Sequence, residues 1–124
     1  MARRLIQSLA LLALVCGTGL AAAQQATPPT AAREISALLG HIERSGCSFE
    51  RNGQWHEAPA ARAHIERKYR ALAERGLVPS AESFIELAAT RSSTTGRPYQ
   101  VRCGQAPAVA SGPWLMQALG RLRE

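Results

Sequence analysis

Two adjacent residues, Asn52 and Gly53, restrict the fold of this chain more than any others. Asn-Gly adopts the paired left-handed backbone of a type I′ turn, whose twist matches that of two antiparallel strands. The flanks suit it. Cys47-Ser48-Phe49-Glu50-Arg51 and Gln54-Trp55-His56 alternate apolar and polar residues, so 47–56 reads as a β-hairpin. A two-residue turn also sets register: Arg51 faces Gln54, and Phe49 faces His56. Cys47, Phe49 and Arg51 then share one face, and Glu50 and Trp55 share the other. The outward Trp55 reads either as a binding surface or as the floor beneath a covering helix.

A second strand signal lies far along the chain. Tyr99-Gln100-Val101-Arg102-Cys103 alternates with Tyr99, Val101 and Cys103 inward. Pairing Cys47 with Cys103 across antiparallel strands puts Phe49 opposite Val101 and Arg51 opposite Tyr99. The parity of both strands agrees with that closure. The expected sheet has three antiparallel strands, with the first hairpin strand in the middle.

The cysteine pairing depends on compartment, and the N-terminus addresses that. Arg3 and Arg4 precede an apolar run from Leu5 to about Val15, and Ala21-Ala22-Ala23 offers the small residues of a cleavage site before Gln24. This is the pattern of a secretory signal peptide over residues 1–23. The run is shorter than the ~20 residues a membrane span needs. Cys16 would leave with it; lipid attachment there wants a small residue in front, and Val15 is a poor fit. Cys47 and Cys103 then remain as an even pair in an oxidising compartment, which argues for a disulfide and a periplasmic address. A metal site is a weaker reading, because there is no CxxC and His41, His56 and His64 lack ligand spacing. No cofactor is expected.

Between the strand signals the periodicity is helical. Residues 24–30 read as a short disordered leader, with Thr30 as an N-cap. Ile35, Leu38, Leu39 and Ile42 make one helix face, closed by Gly46. A second helix runs from about Pro59 to Arg75, with Ala61, Ile65, Tyr69 and Leu72 inward and Gly76 after it. A third starts after Ser80 and carries Phe84, Ile85, Leu87 and Ala88. It dissolves into Ser92-Ser93-Thr94-Thr95-Gly96, where hydroxyls compete for backbone hydrogen bonds. The last helix spans Ser111 to about Leu122, with Leu115, Leu119 and Leu122 inward. Residues 31–124 thus form a single α+β domain of four helices on the three-stranded sheet, with no membrane span once the signal is cleaved.

The formal charge is +6, and Lys68 is the single lysine. Losing Arg3 and Arg4 lowers the charge, and what remains is scattered with alternating sign. A mild preference for anionic partners follows. Nucleic acid does not, because aromatics are few and no basic stripe appears.

Four ordered blocks, Phe49-Glu50-Arg51-Asn52-Gly53, Ala61-x-x-His64-Ile65-x-x-Lys68, Ala81-Glu82-x-Phe84-Ile85 and Ser92-Ser93-x-Thr95-Gly96-x-Pro98-Tyr99, resemble the YfeK-like family of small exported bacterial proteins. The resemblance spans about Ile35 to Val101. It implies a periplasmic, stand-alone domain and assigns no activity.

Three segments carry candidate chemistry. His64 and Lys68 stand at i and i+4 on one helix face. Taken alone, a solvated Lys68 and a His64 bonded to a loop carbonyl explain them. Ser92, Ser93 and Thr95 read as a hydroxyl anion site or as a helix-ending turn that caps its own backbone; the helix dipole there disfavours an anion. Arg51, inward and opposite Tyr99, needs a partner, which Glu86, a helix end or an anionic ligand would supply. The expected site joins Arg51, Asn52, His64, Lys68, Ser92, Ser93, Thr95 and Tyr99 in a non-enzymatic module that binds an envelope protein or an anionic envelope component. One alternative is a hydrolase with Ser92 or Ser93 as nucleophile and His64 as base. It lacks a GxSxG elbow, and the chain has no Asp to orient the base. The other alternative is a purely structural polar network.

Overall fold

The computed structural model describes residues 26–124, together with Leu14, Cys16, Gly17 and Gly19. Apart from those four residues the expected signal peptide lies outside the described residues, as do Gln24 and Gln25 of the expected leader, whose last two residues, Pro29 and Thr30, are helical rather than disordered.

Helix α1 is Pro29–Arg44. Proline needs no N–H in the first helical turn, so Pro29 starts the helix with Pro28 as N-cap. Thr30, expected to cap it, lies inside instead. Ile35, Leu38, Leu39 and Ile42 are all buried, as their spacing requires. Gly46 follows with φ +67°, the left-handed position that turns the chain into the sheet.

Strands β1 (Ser48–Arg51) and β2 (Gln54–Glu57) form the hairpin. Asn52 and Gly53 have φ of 51° and 82°, both positive as a type I′ turn requires. Arg51 pairs with Gln54 and Phe49 with His56. Helix α2, Ala58–Glu74, follows without a loop. It ends in a Schellman motif: the Gly76 N–H donates to Ala73 O at 2.9 Å, and the Leu77 N–H to Leu72 O at 3.1 Å. Gly76 takes φ +69° there.

Helix α3, Ala81–Ala88, opens with Ser80 as N-cap. The Ser83 N–H donates to Ser80 Oγ at 3.1 Å, and the Ser80 N–H to Ser83 Oγ at 3.0 Å. A serine thus stands in for the usual Glu or Gln of a capping box. Phe84 and Ile85 are buried, whereas Leu87 is 43% exposed.

Strand β3 is Gln100–Arg102, β4 is Val109–Ala110, and helix α4 is Ser111–Leu122. All neighbouring strands are antiparallel, in the order β2-β1-β3-β4. The sheet therefore has four strands rather than three. A two-residue strand has no period to read, so β4 left no trace in the alternation. Phe49 pairs with Val101, as parity required. One step further, Cys47 and Cys103 form a disulfide with their Cα atoms 4.3 Å apart, the close spacing of a directly opposed pair.

The helices bury their apolar faces on one side of this sheet, around Phe84, Ile35, Leu38, Val101 and Leu115. Trp114 joins the layers, stacking on His41 at 4.7 Å and meeting the edge of Phe49 at 5.7 Å. Leu122 was expected inward and is 49% exposed, because the final turn of α4 runs past the core. Just beyond it, Arg123 bonds Glu34 of α1 and Glu82 of α3, which ties the three helices at their ends. On the opposite sheet face Trp55 is 38% exposed, and Arg102 stacks on its ring at 4.1 Å.

Candidate functional site

The eight residues expected at one site separate into two groups and one outlier. Asn52, Ser92 and Thr95 form a closed network beside the hairpin turn. Asn52 Nδ2 donates to Ser92 Oγ at 3.2 Å, and Thr95 Oγ1 donates to Asn52 Oδ1 at 2.7 Å. Ser92 Oγ, 4% exposed as a residue, also accepts from the N–H groups of Thr94 and Thr95 at 3.3 Å each. The Arg97 N–H donates to Thr95 Oγ1. These groups hold the turn between Arg91 and Pro98 against the hairpin. Ser93 stands apart, lining a shallow groove with Glu86, Leu87 and Arg91. Among the described residues neither Ser92 nor Ser93 hydrogen-bonds His64, so no nucleophile–base pair is formed.

The other four converge. Arg51 projects from the inner face of β1 toward α2, where its Nη1 lies 2.6 Å from His64 Nδ1 and 3.0 Å from Nε2. His64 Nε2 is 3.3 Å from the Tyr99 hydroxyl. One turn along α2, Lys68 Nζ donates to Tyr99 Oη and to Arg91 O, both at 2.9 Å. Its ammonium also lies 4.9 Å from the Tyr99 ring centre. Tyr99 is held from both sides: its N–H donates to Thr90 O, and its carbonyl accepts from the Ser111 N–H. The partner expected for Arg51, Glu86 or a helix end, is instead the neutral ring of His64.

Three cations, Arg51, Arg67 and Lys68, surround that ring, and among the described residues none of them makes an ion pair with a carboxylate. The protonation equilibria record the resulting field. Burial and then the charges of Arg51 and Lys68 pull His64 down to about 4, so it is neutral near pH 7. Lys68 is lowered by burial and then by Arg51. Burial raises Tyr99, partly opposed by Arg51.

Beside this cluster a cavity of about 170 Å³ opens between β1, β2 and α2. Arg51, His64 and Tyr99 line it, with Phe49, Ala60, Ala61 and Ile65 as its apolar wall. Four polar residues there, Glu50, His56, Arg67 and Ser111, escaped the sequence reading. His56 was legible, since register already placed it beside Phe49 on the inner face. Arg67 follows His64 by one turn of α2 and was legible from helical spacing. Ser111 was not. It arrives only because β4 pairs with β3 and delivers the start of α4 beside Tyr99. Gly112 permits that approach, since a Cβ there would meet Thr90 Oγ1 at 2.9 Å. Ser111 is 1% exposed. His56 Nε2 is buried with no partner.

Among the described residues no group of three His, Cys or Glu side chains converges. None of the described helices is long and apolar enough to cross a membrane.

Fold and site together define a small disulfide-linked α+β domain with one basic, partly apolar cavity between sheet and helix. Residues 29–123 match a family of unknown function, DUF5329, and the chain belongs to that family. No curated protein and no solved structure matches it.

Proposed function

We propose that this is an exported, non-enzymatic binding domain that captures an anionic group at Arg51. The observation that carries the reading is a half-buried guanidinium that faces a cavity and has a neutral imidazole, not a carboxylate, as its partner. A buried charge is retained at a cost unless something neutralises it. An anion bound there would also offset the cationic charges that add to burial in lowering His64 and Lys68. The YfeK-like resemblance, the signal-like segment over residues 1–23 and the cross-strand disulfide support a periplasmic address, and an anionic envelope component is the ligand class that address supplies.

The test follows the His64 ring by NMR during a pH titration, with and without sulfate. Sulfate raises the His64 pKa from about 4 in the wild type and leaves it unmoved in Arg51→Met. A wild-type His64 that neither sulfate nor a monocarboxylate such as benzoate moves would refute anion capture. N-terminal sequencing of protein recovered from the periplasm checks the address; the chain begins at Gln24.

For the hydroxyl turn the hydrogen bonds favour a structural role. Asn52, Ser92 and Thr95 satisfy one another and the local backbone. We therefore assign them to holding the turn rather than to a ligand.

A further inference from the structure

We infer that the cavity takes a small amphipathic monocarboxylate, with an apolar body and a second hydrogen-bonding group, rather than a bare inorganic anion. This rests on the reading that Arg51 receives the charge.

Charge comes first. Arg51 is the one half-buried cation of the cavity with no partner but a neutral ring. The Lys68 ammonium is held by Arg91 O and Tyr99 Oη, and Arg67 is exposed at the mouth. Glu50 also lines the cavity, but its carboxylate is engaged at the hairpin end, accepting from the Gly53 N–H and facing Arg97. One guanidinium fork matches the two oxygens of one carboxylate. A dianion would leave its second charge against Phe49, Ala61 and Ile65.

Size and wall come next. A cavity of about 170 Å³ is close to one known to hold benzene, ~150 Å³. Phe49, Ala60, Ala61 and Ile65 give the body apolar contact.

The cavity also holds an orphaned polar group. His56 Nε2 is buried without a partner, and the Ser111 side chain lines the same cavity at 1% exposure. Register places His56 one pleat repeat from Arg51, ~7 Å along the strands. Ser111, beside Tyr99, lies about two strands across, ~10 Å. A tetrahedral oxyanion seated on Arg51 reaches neither. A ring that carries a carboxylate at one end and a hydroxyl at the other spans the distance to His56.

The experiment titrates the protein with four probes, 4-hydroxybenzoate, benzoate, 4-hydroxybenzamide and sulfate, and reads the imidazole signals of His56 and His64 by NMR. We expect 4-hydroxybenzoate to shift both rings and to bind at least about tenfold more tightly than sulfate. Benzoate falls between them and shifts His64 more than His56, while 4-hydroxybenzamide binds weakest. Arg51→Gln, its fold checked by the same spectrum, abolishes the preference for the acid over the amide. If sulfate binds as tightly as 4-hydroxybenzoate, the amphipathic ligand is overturned and anion capture stands. If the amide matches the acid, or no probe shifts either ring, both are overturned.

Discussion

His64 sits between two demands. Among the described residues its ring is the only side chain that hydrogen-bonds Arg51, and protonating it would add a charge to a region that already holds three cations. It stays neutral in the fold, at about 4 against an ordinary 6.5. The unfolded chain therefore takes up a proton on His64 first as the pH falls. That stability is complete above about pH 6.5 and is lost toward pH 4. Discounted for solvent reaching the ring, the loss is on the order of 1 kcal/mol, or about 5 °C in a domain this size. His41 shifts the same way, through burial and then Arg121 and Arg44, so the wild type alone does not isolate the effect. The comparison that does is thermal melting of the wild type and His64→Gln from pH 7.5 to 4.5. The variant loses less on acidification, and parallel curves would remove His64 from the account.

The elements are fixed largely by their ends. Asn52-Gly53 sets the hairpin, Gly76 closes α2, and Ser80 opens α3. Replacing Ser80 with Ala removes an acceptor for the Ser83 N–H and costs about 1 kcal/mol, measured by urea denaturation. Gly76→Ala strains a φ of +69° and costs about the same. A neutral result for both would mean that packing alone sets these boundaries. Such end signals explain why the helices and the hairpin register were legible before any coordinates. β4 was not, because it exists only as a partner for β3. Nor was the outward turn of Leu122 or Leu87, since an apolar residue at helical spacing does not say where the neighbouring element stops.

For the whole molecule the disulfide matters most. Cys47 and Cys103, separated by 56 positions, tie β1 to β3 and so join the hairpin to the part of the chain that ends in α4. Closing a loop of that length contributes roughly 4 kcal/mol in the chain-entropy view, a large share for a small domain. Paired Cys47→Ala and Cys103→Ala replacements should lower the melting temperature by about 15 °C or more. A drop of only a few degrees would show that sheet pairing holds the strands unaided.

The local and parity information lay in the chain itself: turn type, helix ends, which residues of each strand face inward, and hence that Cys47 could meet Cys103. Those follow from φ/ψ preference and strand period, which act over a few residues. Tertiary structure alone decided which polar groups end up together. Asn52 left the expected site for the hydroxyl turn, and Lys68 became bound to Tyr99 and Arg91. Ser111, from the far end of the domain, moved in beside Tyr99. Those outcomes depend on distances between elements, and these are set by how α2 and the β3–β4 connection pack on the sheet.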